Sequence, residues 1–226
     1  MSARRGTLYG MAFTGFPDEA FLFYEGLEAD NSKTYFTRNR HLYDDAVRAP
    51  MLALAEELGE EFGVATLFRP YRDVRFSKDK SPYKDHQGAF VDSCPGIGLY
   101  VQISADGLYV AGGYYSGASD QVARYRAAVD NELTGVPLEK LVDSLREAGY
   151  AVEGERLKTR PRGVDEGHPR LELLRHKSLY AGLRFEPEPW VHTAEVAERV
   201  RGSWRDFAPL VEWLSDHVRG SELPAR

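Results

Sequence analysis

The chain has a single cysteine, Cys94, among its 226 residues. No disulfide can form within it, which excludes a small secreted scaffold held together by bridges. No apolar run is long enough to span a bilayer, and the opening Met-Ser-Ala-Arg-Arg-Gly-Thr-Leu-Tyr-Gly-Met has two arginines without the apolar core of a signal peptide. A cytoplasmic location without membrane attachment is therefore expected. The phosphate-loop patterns G-x-x-x-x-G-K-[ST] and G-x-G-x-x-G are missing, and Gly112-Gly113 falls inside a strand pattern, where it marks a bulge or a close approach. The six histidines form no H-E-x-x-H array and no C-x-x-C exists, so no metal site is expected. Nothing in the residues identifies a cofactor.

The remaining composition is that of a folded chain, with 42% hydrophobic and 12% aromatic residues. The formal charge is −6 and the pI near 5.6, which argues against general coating of nucleic acid. That acidity hides a segregation. Residues 69–84 place Arg69, Arg72, Arg75, Lys78, Lys80 and Lys84 beside Asp73 and Asp79 only, and residues 156–177 hold seven Lys or Arg against three acids. Each tract nets +4, so basic charge is concentrated twice in a chain that is acidic elsewhere. Such concentration attracts an anion or answers acids elsewhere in the fold.

Periodicity gives the architecture. Pro17 precedes a helical face of Ala20, Phe21, Tyr24 and Leu27; Asn31 or Ser32 caps a second helix with Phe36, Tyr43 and Val47; Pro50 ends that helix and starts a third with Met51, Leu54, Ala55 and Leu58. Gly88–Val91 reads as a short strand. Residues 98–115 alternate around Asp106-Gly107 as a hairpin whose Leu99, Val101, Ile103, Leu108 and Val110 face the core. Tyr100, Gln102, Ser104, Tyr109, Ala111 and Gly113 form the other face, a shallow floor for a planar ligand or simply a half-solvated sheet. Helices follow from Ser119 and from Pro137, a short one lies between His168 and Leu174, and Thr193 caps a long last helix striped by Val196, Val200, Trp204, Phe207, Val211 and Leu214, with Pro209 as a kink. The expectation is one α+β domain over residues 1–226, with a central antiparallel sheet and helices at both chain ends.

Three segments also carry a family likeness. Asn31-Ser-Lys-x-Tyr-Phe-x-x-Asn-Arg-x-x-Tyr43, Phe68-Arg-Pro-Tyr-Arg-Asp-Val-Arg-Phe-Ser-Lys-Asp-Lys-Ser-Pro-Tyr-Lys84, and Leu157-Lys-Thr-x-Pro-Arg-Gly163 followed by His168-Pro and Leu173-Leu-Arg-x-Lys177 resemble the domain of unknown function family 2461, found in bacteria and fungi. Tyr35 departs from the pattern, which more often has Trp there. The resemblance implies no reaction.

Two classes of function are compatible with these residues. One is an enzyme acting on a phosphate- or carboxylate-bearing small molecule, held by Arg40, Arg69, Arg72, Arg75, Lys78, Lys80, Lys84, Lys158, Arg160 and Arg162, with Asp73 or His86 moving a proton. This reading expects the two basic tracts to meet at one cleft with Arg40. The other is a non-catalytic module for an anionic ligand, nucleic acid or an acidic protein; a purely structural ion-pair network is the third possibility. Ser77-Lys-Asp-Lys80 matches the S-x-x-K spacing of acyl-transfer enzymes, but Pro82 follows too soon for the helix that this chemistry needs. His86 and His168, next to the basic tracts, are the histidines to watch.

Overall fold

The computed structural model describes residues 12–75, 77–115 and 117–223; the opening segment read above as lacking a signal peptide lies outside the described residues. In chain order the elements are α1 (Asp18–Ala29), α2 (Lys33–Arg38), α3 (Arg40–Leu42), a π-helical turn (Tyr43–Arg48), α4 (Ala49–Phe62), β1 (Ala65–Leu67), β2 (His86–Cys94), β3 (Ile97–Ser104), β4 (Gly107–Tyr114), α5 (Ser119–Asp130), α6 (Glu132–Glu147), β5 (Ala151–Glu153), α7 (Leu171–Leu174), β6 (Leu179–Phe185), a 3-10 turn (Pro189–His192) and α8 (Glu195–His217). The fold is α+β, with helices at both ends and one antiparallel sheet of order β1-β2-β3-β4-β6-β5. Among the described residues, no helix is long and apolar enough to cross a membrane.

By contacts the chain divides into two compact units. The first contains the chain through Ala89, Ile103–Gly107 and Pro187–Glu198; the second contains Phe90–Gln102, Leu108–Glu186 and the chain from Arg199. In the first unit, Phe23 packs edge-on against Tyr24 and Phe36 and lies 5.7 Å from the Tyr43 ring. The segment before α1 is tied to the 3-10 turn, since Phe16 N donates to Val191 O at 2.9 Å and His192 Nδ1 donates to Phe16 O at 2.8 Å. In the second unit, the buried stripe of α8 lies on the hairpin. Trp204 Nε1 donates to Tyr100 O at 3.1 Å, and Leu99, Val101, Leu108 and Val110 are all buried, as the alternation predicts. Ile103, assigned to the first unit, is buried there as well.

Local differences from the sequence reading have identifiable causes. The hairpin turns on Ala105-Asp106 rather than Asp106-Gly107; Gly107 already belongs to β4 and takes the φ of +103° that a side chain would resist. Pro50 starts a helix as read, but no break precedes it. It falls in the first turn of α4, and the π-helical turn before it is wider than an α-turn, where a proline lacks an N–H and its ring crowds the preceding carbonyl. Asn131 starts α6 six residues before Pro137 by accepting from Leu133 N at 2.9 Å, so that proline lies inside the helix. β6 was not read from the sequence. It pairs with β4 without interruption, from Leu108 opposite Phe185 to Tyr114 opposite Leu179, so the glycines of β4 mark close approach and not a bulge.

At Gly112 a Cβ atom would come within 2.6 Å of Phe207 Cβ and 3.0 Å of Leu99 Cδ2, whereas at Gly202 in α8 it would meet nothing within 4 Å. Gly112→Ala is expected to destabilise the protein by about 1–3 kcal/mol through overpacking. Gly202→Ala is expected to stabilise it by roughly 0.5–1 kcal/mol through helix propensity. Urea denaturation of the two variants checks the pair.

Candidate functional site

The first basic tract is an irregular loop with a pinched base. Arg72 N donates to Pro82 O at 3.0 Å, Lys84 N donates to Pro70 O at 2.8 Å, and Tyr71 and Tyr83 form an antiparallel bridge. The two prolines thus contribute only the carbonyls their geometry leaves them. Asn31 grips the same base by donating from Nδ2 to Tyr83 O and accepting from Tyr83 N, both at 3.1 Å. Phe36 stacks on the Tyr83 ring at 4.0 Å with 3° between planes. Ser32 caps α2 by accepting from Tyr35 N, Tyr35 donates its phenol proton to Phe23 O, and Asn39 Nδ2 donates to Tyr35 O. The Asn31–Tyr43 motif is therefore the mount of the loop.

Tyr43 closes this mount. Its hydroxyl donates to Gln87 Oε1 at 2.6 Å, while Gln87 Nε2 donates to Phe68 O at 2.8 Å, joining the π-helical turn to the entrance of the loop. Burial, the largest effect, pushes the Tyr43 phenol up to about 12.

The loop's cations fall into two groups. Arg75 holds Asp73 through a pair at 2.6 Å, and Lys80 donates to Val74 O at 2.9 Å. The hydrogen bonds from Arg75 hold the Asp73 carboxyl down at about 2, so this carboxylate is a poor proton acceptor at neutral pH. Arg72 bonds Asp79 and, at 3.0 Å, Asp85. Arg69 and Lys84, by contrast, have no acidic partner among the described residues. Lys84 is lowered below the usual lysine range by burial first and then by the charges of Arg69 and Arg72. The Lys84 ammonium lies 4.9 Å from the centre of the Phe68 ring. Lys78 is exposed. Arg40 pairs with Asp44 at 3.3 Å and stays 65% exposed, within electrostatic reach of Tyr83.

Asp85 is the residue that the sequence reading missed. Its Oδ2 accepts from Arg72, and its Oδ1 accepts from His86 Nδ1 at 2.7 Å. A carboxylate only accepts, so His86 carries its proton on Nδ1 in this contact and presents Nε2 as the other nitrogen. Burial raises the Asp85 carboxyl, but the His86 hydrogen bond and the charges of His86 and Arg72 outweigh it and the net shift is downward. An acid directly after Lys84 and before His86 was the available signal.

The second tract belongs wholly to the second unit, the first tract to the first unit. Lys158, Arg160 and Arg162 are exposed; Arg160 Nη1 donates to Val164 O at 2.9 Å, and Lys158 O accepts from Arg175. Arg175 straps this segment, reaching Leu157 O at 3.0 Å and Glu172 at 2.9 Å. His168 is bound on both nitrogens, Nδ1 accepting from Arg170 N and Nε2 facing Asp130 at 3.2 Å. Among the described residues, no group of three or more His, Cys, Asp or Glu could hold a metal ion.

A fastened, cation-rich loop on an α+β scaffold defines a protein with a built basic surface rather than a known catalytic centre. The chain belongs to the family described as Conserved hypothetical protein (DUF2461), whose model matches residues 19–213. No curated protein matches the chain.

Because folding holds the Tyr43 phenol protonated, its contribution is fully present below pH 10, the ordinary tyrosine value, and is lost as pH rises toward about 12. Tyr43→Phe leaves Gln87 Oε1 without its donor and is expected to cost about 1–3 kcal/mol at pH 7. The gap between wild type and variant should narrow above pH 10, as followed by denaturant titration across pH.

Proposed function

We propose that the protein binds a phosphate- or carboxylate-bearing small molecule on the loop of residues 69–84, in the cytoplasm. The observation that carries this reading is that Arg69 and Lys84 have no acidic partner among the described residues, while burial first and then the charges of Arg69 and Arg72 lower the proton affinity of Lys84. A positive charge held where burial and like charges oppose it carries a cost that an anion would remove. Arginine forks suit phosphate and carboxylate, and a rigid base spares the loop's ordering cost on binding.

A catalytic form of the same reading is favoured by one arrangement. Asp85 fixes the His86 imidazole through Nδ1 while sharing Arg72 with the cationic cluster, so Nε2 is the group that would move a proton for a ligand held there. Asp73, paired with Arg75, would orient that arginine instead.

The test is thermal unfolding at low salt with inorganic phosphate, citrate, nucleotides, sugar phosphates and short oligonucleotides. A ligand at ~100 times its dissociation constant adds ~2.7 kcal/mol of stability. The shift should vanish in Arg69→Ala/Lys84→Ala and shrink as salt is added, because the cations are at the surface. Arg72 is left intact because it bonds two carboxylates of the loop. An oligonucleotide as the sole stabiliser would favour a nucleic-acid module. The absence of any stabiliser, or shifts unchanged in the double variant, would refute the proposal.

A further inference from the structure

The second unit contains a cavity of about 90 Å³, lined by residues of α6, α7 and the chain around Arg156 and His176. That is room for about three waters at ~30 Å³ each. Two of its lining residues are almost completely buried and incompletely bonded. Arg170, 5% exposed, donates from Nε to Val129 O at 2.8 Å and from Nη2 to Asp130 O at 3.1 Å. Its Nη1 has no partner among the described residues, and no carboxylate pairs with its charge there. His176, 2% exposed, donates from Nδ1 to Ser178 O at 2.9 Å, which leaves Nε2 as a bare acceptor. Burial, the largest effect, and the charges of Arg156 and Arg146 lower its proton affinity, outweighing the hydrogen bond to Ser178 O that raises it.

The lining thus offers a guanidinium donor and an imidazole acceptor that are open to the cavity. A simple cation would meet the guanidinium, and a neutral alcohol would leave a buried positive charge unanswered. A fully ionised oxyanion would set its lone pairs against that of Nε2. Two lining carboxylates are already engaged, Asp143 by Arg146 at 3.3 Å and Glu172 by Arg175 at 2.9 Å, with Arg156 Nη1 at a looser 4.0 Å from Glu172. Glu139, the remaining one, disfavours a dianion. We infer that this cavity binds a small monoanionic oxyanion that carries its own O–H, of the class of dihydrogenphosphate or the monoanionic end of a phosphate monoester. The oxyanion accepts from Arg170 and Arg156, and its hydroxyl donates to His176 Nε2.

This inference is independent of the loop site, and its test separates the two. Protein labelled with ¹⁵N histidine is titrated with inorganic phosphate and, at matched ionic strength, with sulfate, the His176 signals being assigned from His176→Asn. Phosphate should move the His176 resonances saturably and sulfate should not, because sulfate has no proton to donate at neutral pH. Arg156→Ala, at the half-exposed edge of the cavity, should weaken this response about tenfold, the scale of one charge-assisted hydrogen bond. Arg69→Ala/Lys84→Ala should leave it unchanged. His176 resonances that ignore phosphate, follow sulfate equally, or respond alike in Arg156→Ala would overturn the inference. Phosphate binding that is lost in Arg69→Ala/Lys84→Ala without any effect at His176 would leave the loop reading standing alone.

Discussion

Asn31 holds the backbone of Tyr83 from both its donor and its acceptor, and the cationic loop depends on that grip. The nine residues between Arg72 and Pro82 hold Arg75, Lys78 and Lys80 against Asp73 and Asp79, and they form no regular secondary structure of their own. The loop keeps its shape because its two ends are locked as a short antiparallel ladder, with Asn31 acting on one side like a further strand and Phe36 stacked on the ring above. A basic segment held only by its own ion pairs would be weak, since exposed pairs contribute ~0–1 kcal/mol. Here the order is supplied by buried hydrogen bonds and aromatic packing, and the charges are left to the surface.

That division explains how the family motifs are distributed. Asn31, Ser32, Tyr35, Phe36, Asn39 and Tyr43 look in sequence like a polar and aromatic helix of uncertain purpose. In the fold they form the platform under residues 69–84, and Gln87 continues it from the first strand turn beyond the loop. Arg72 and Asp85 then link the platform to the charges, and Asp85 passes the link to His86. The same carboxylate limits repulsion among the cations and orients the imidazole.

The hairpin core, the α8 stripe and the start of α1 were legible in the sequence because period-two and helical patterns report burial directly. The π-helical turn and the early start of α6 were not: the first has no periodic signature of its own, and in the second Asn131 caps the helix upstream of Pro137, which local rules read as the start. β6 escaped because Leu179–Phe185 mixes Gly182 and Arg184 into a short run, and only its pairing with β4 and β5 makes it a strand. For the candidate site, composition marked the basic tracts but could not sort their members. Arg75 and Arg175 have the same chemistry as Arg69 in sequence, yet the first is bound to Asp73 and the second straps backbone carbonyls. His176, passed over beside His168, is buried with Nδ1 bonded to Ser178 O and lines a cavity, a setting that only the surrounding chain confers.

The central proposal is that the charge of Arg69 and Lys84, beside Arg72, is answered by a bound anion. The most direct measurement is the titration of Lys84 by NMR of lysine labelled with ¹³C at Cε, with and without phosphate. The account predicts that Lys84 loses its proton at lower pH than the exposed lysines, because burial and the two arginines oppose its charge, and that phosphate moves its titration upward. A Lys84 that titrates with the other lysines and ignores phosphate would contradict it.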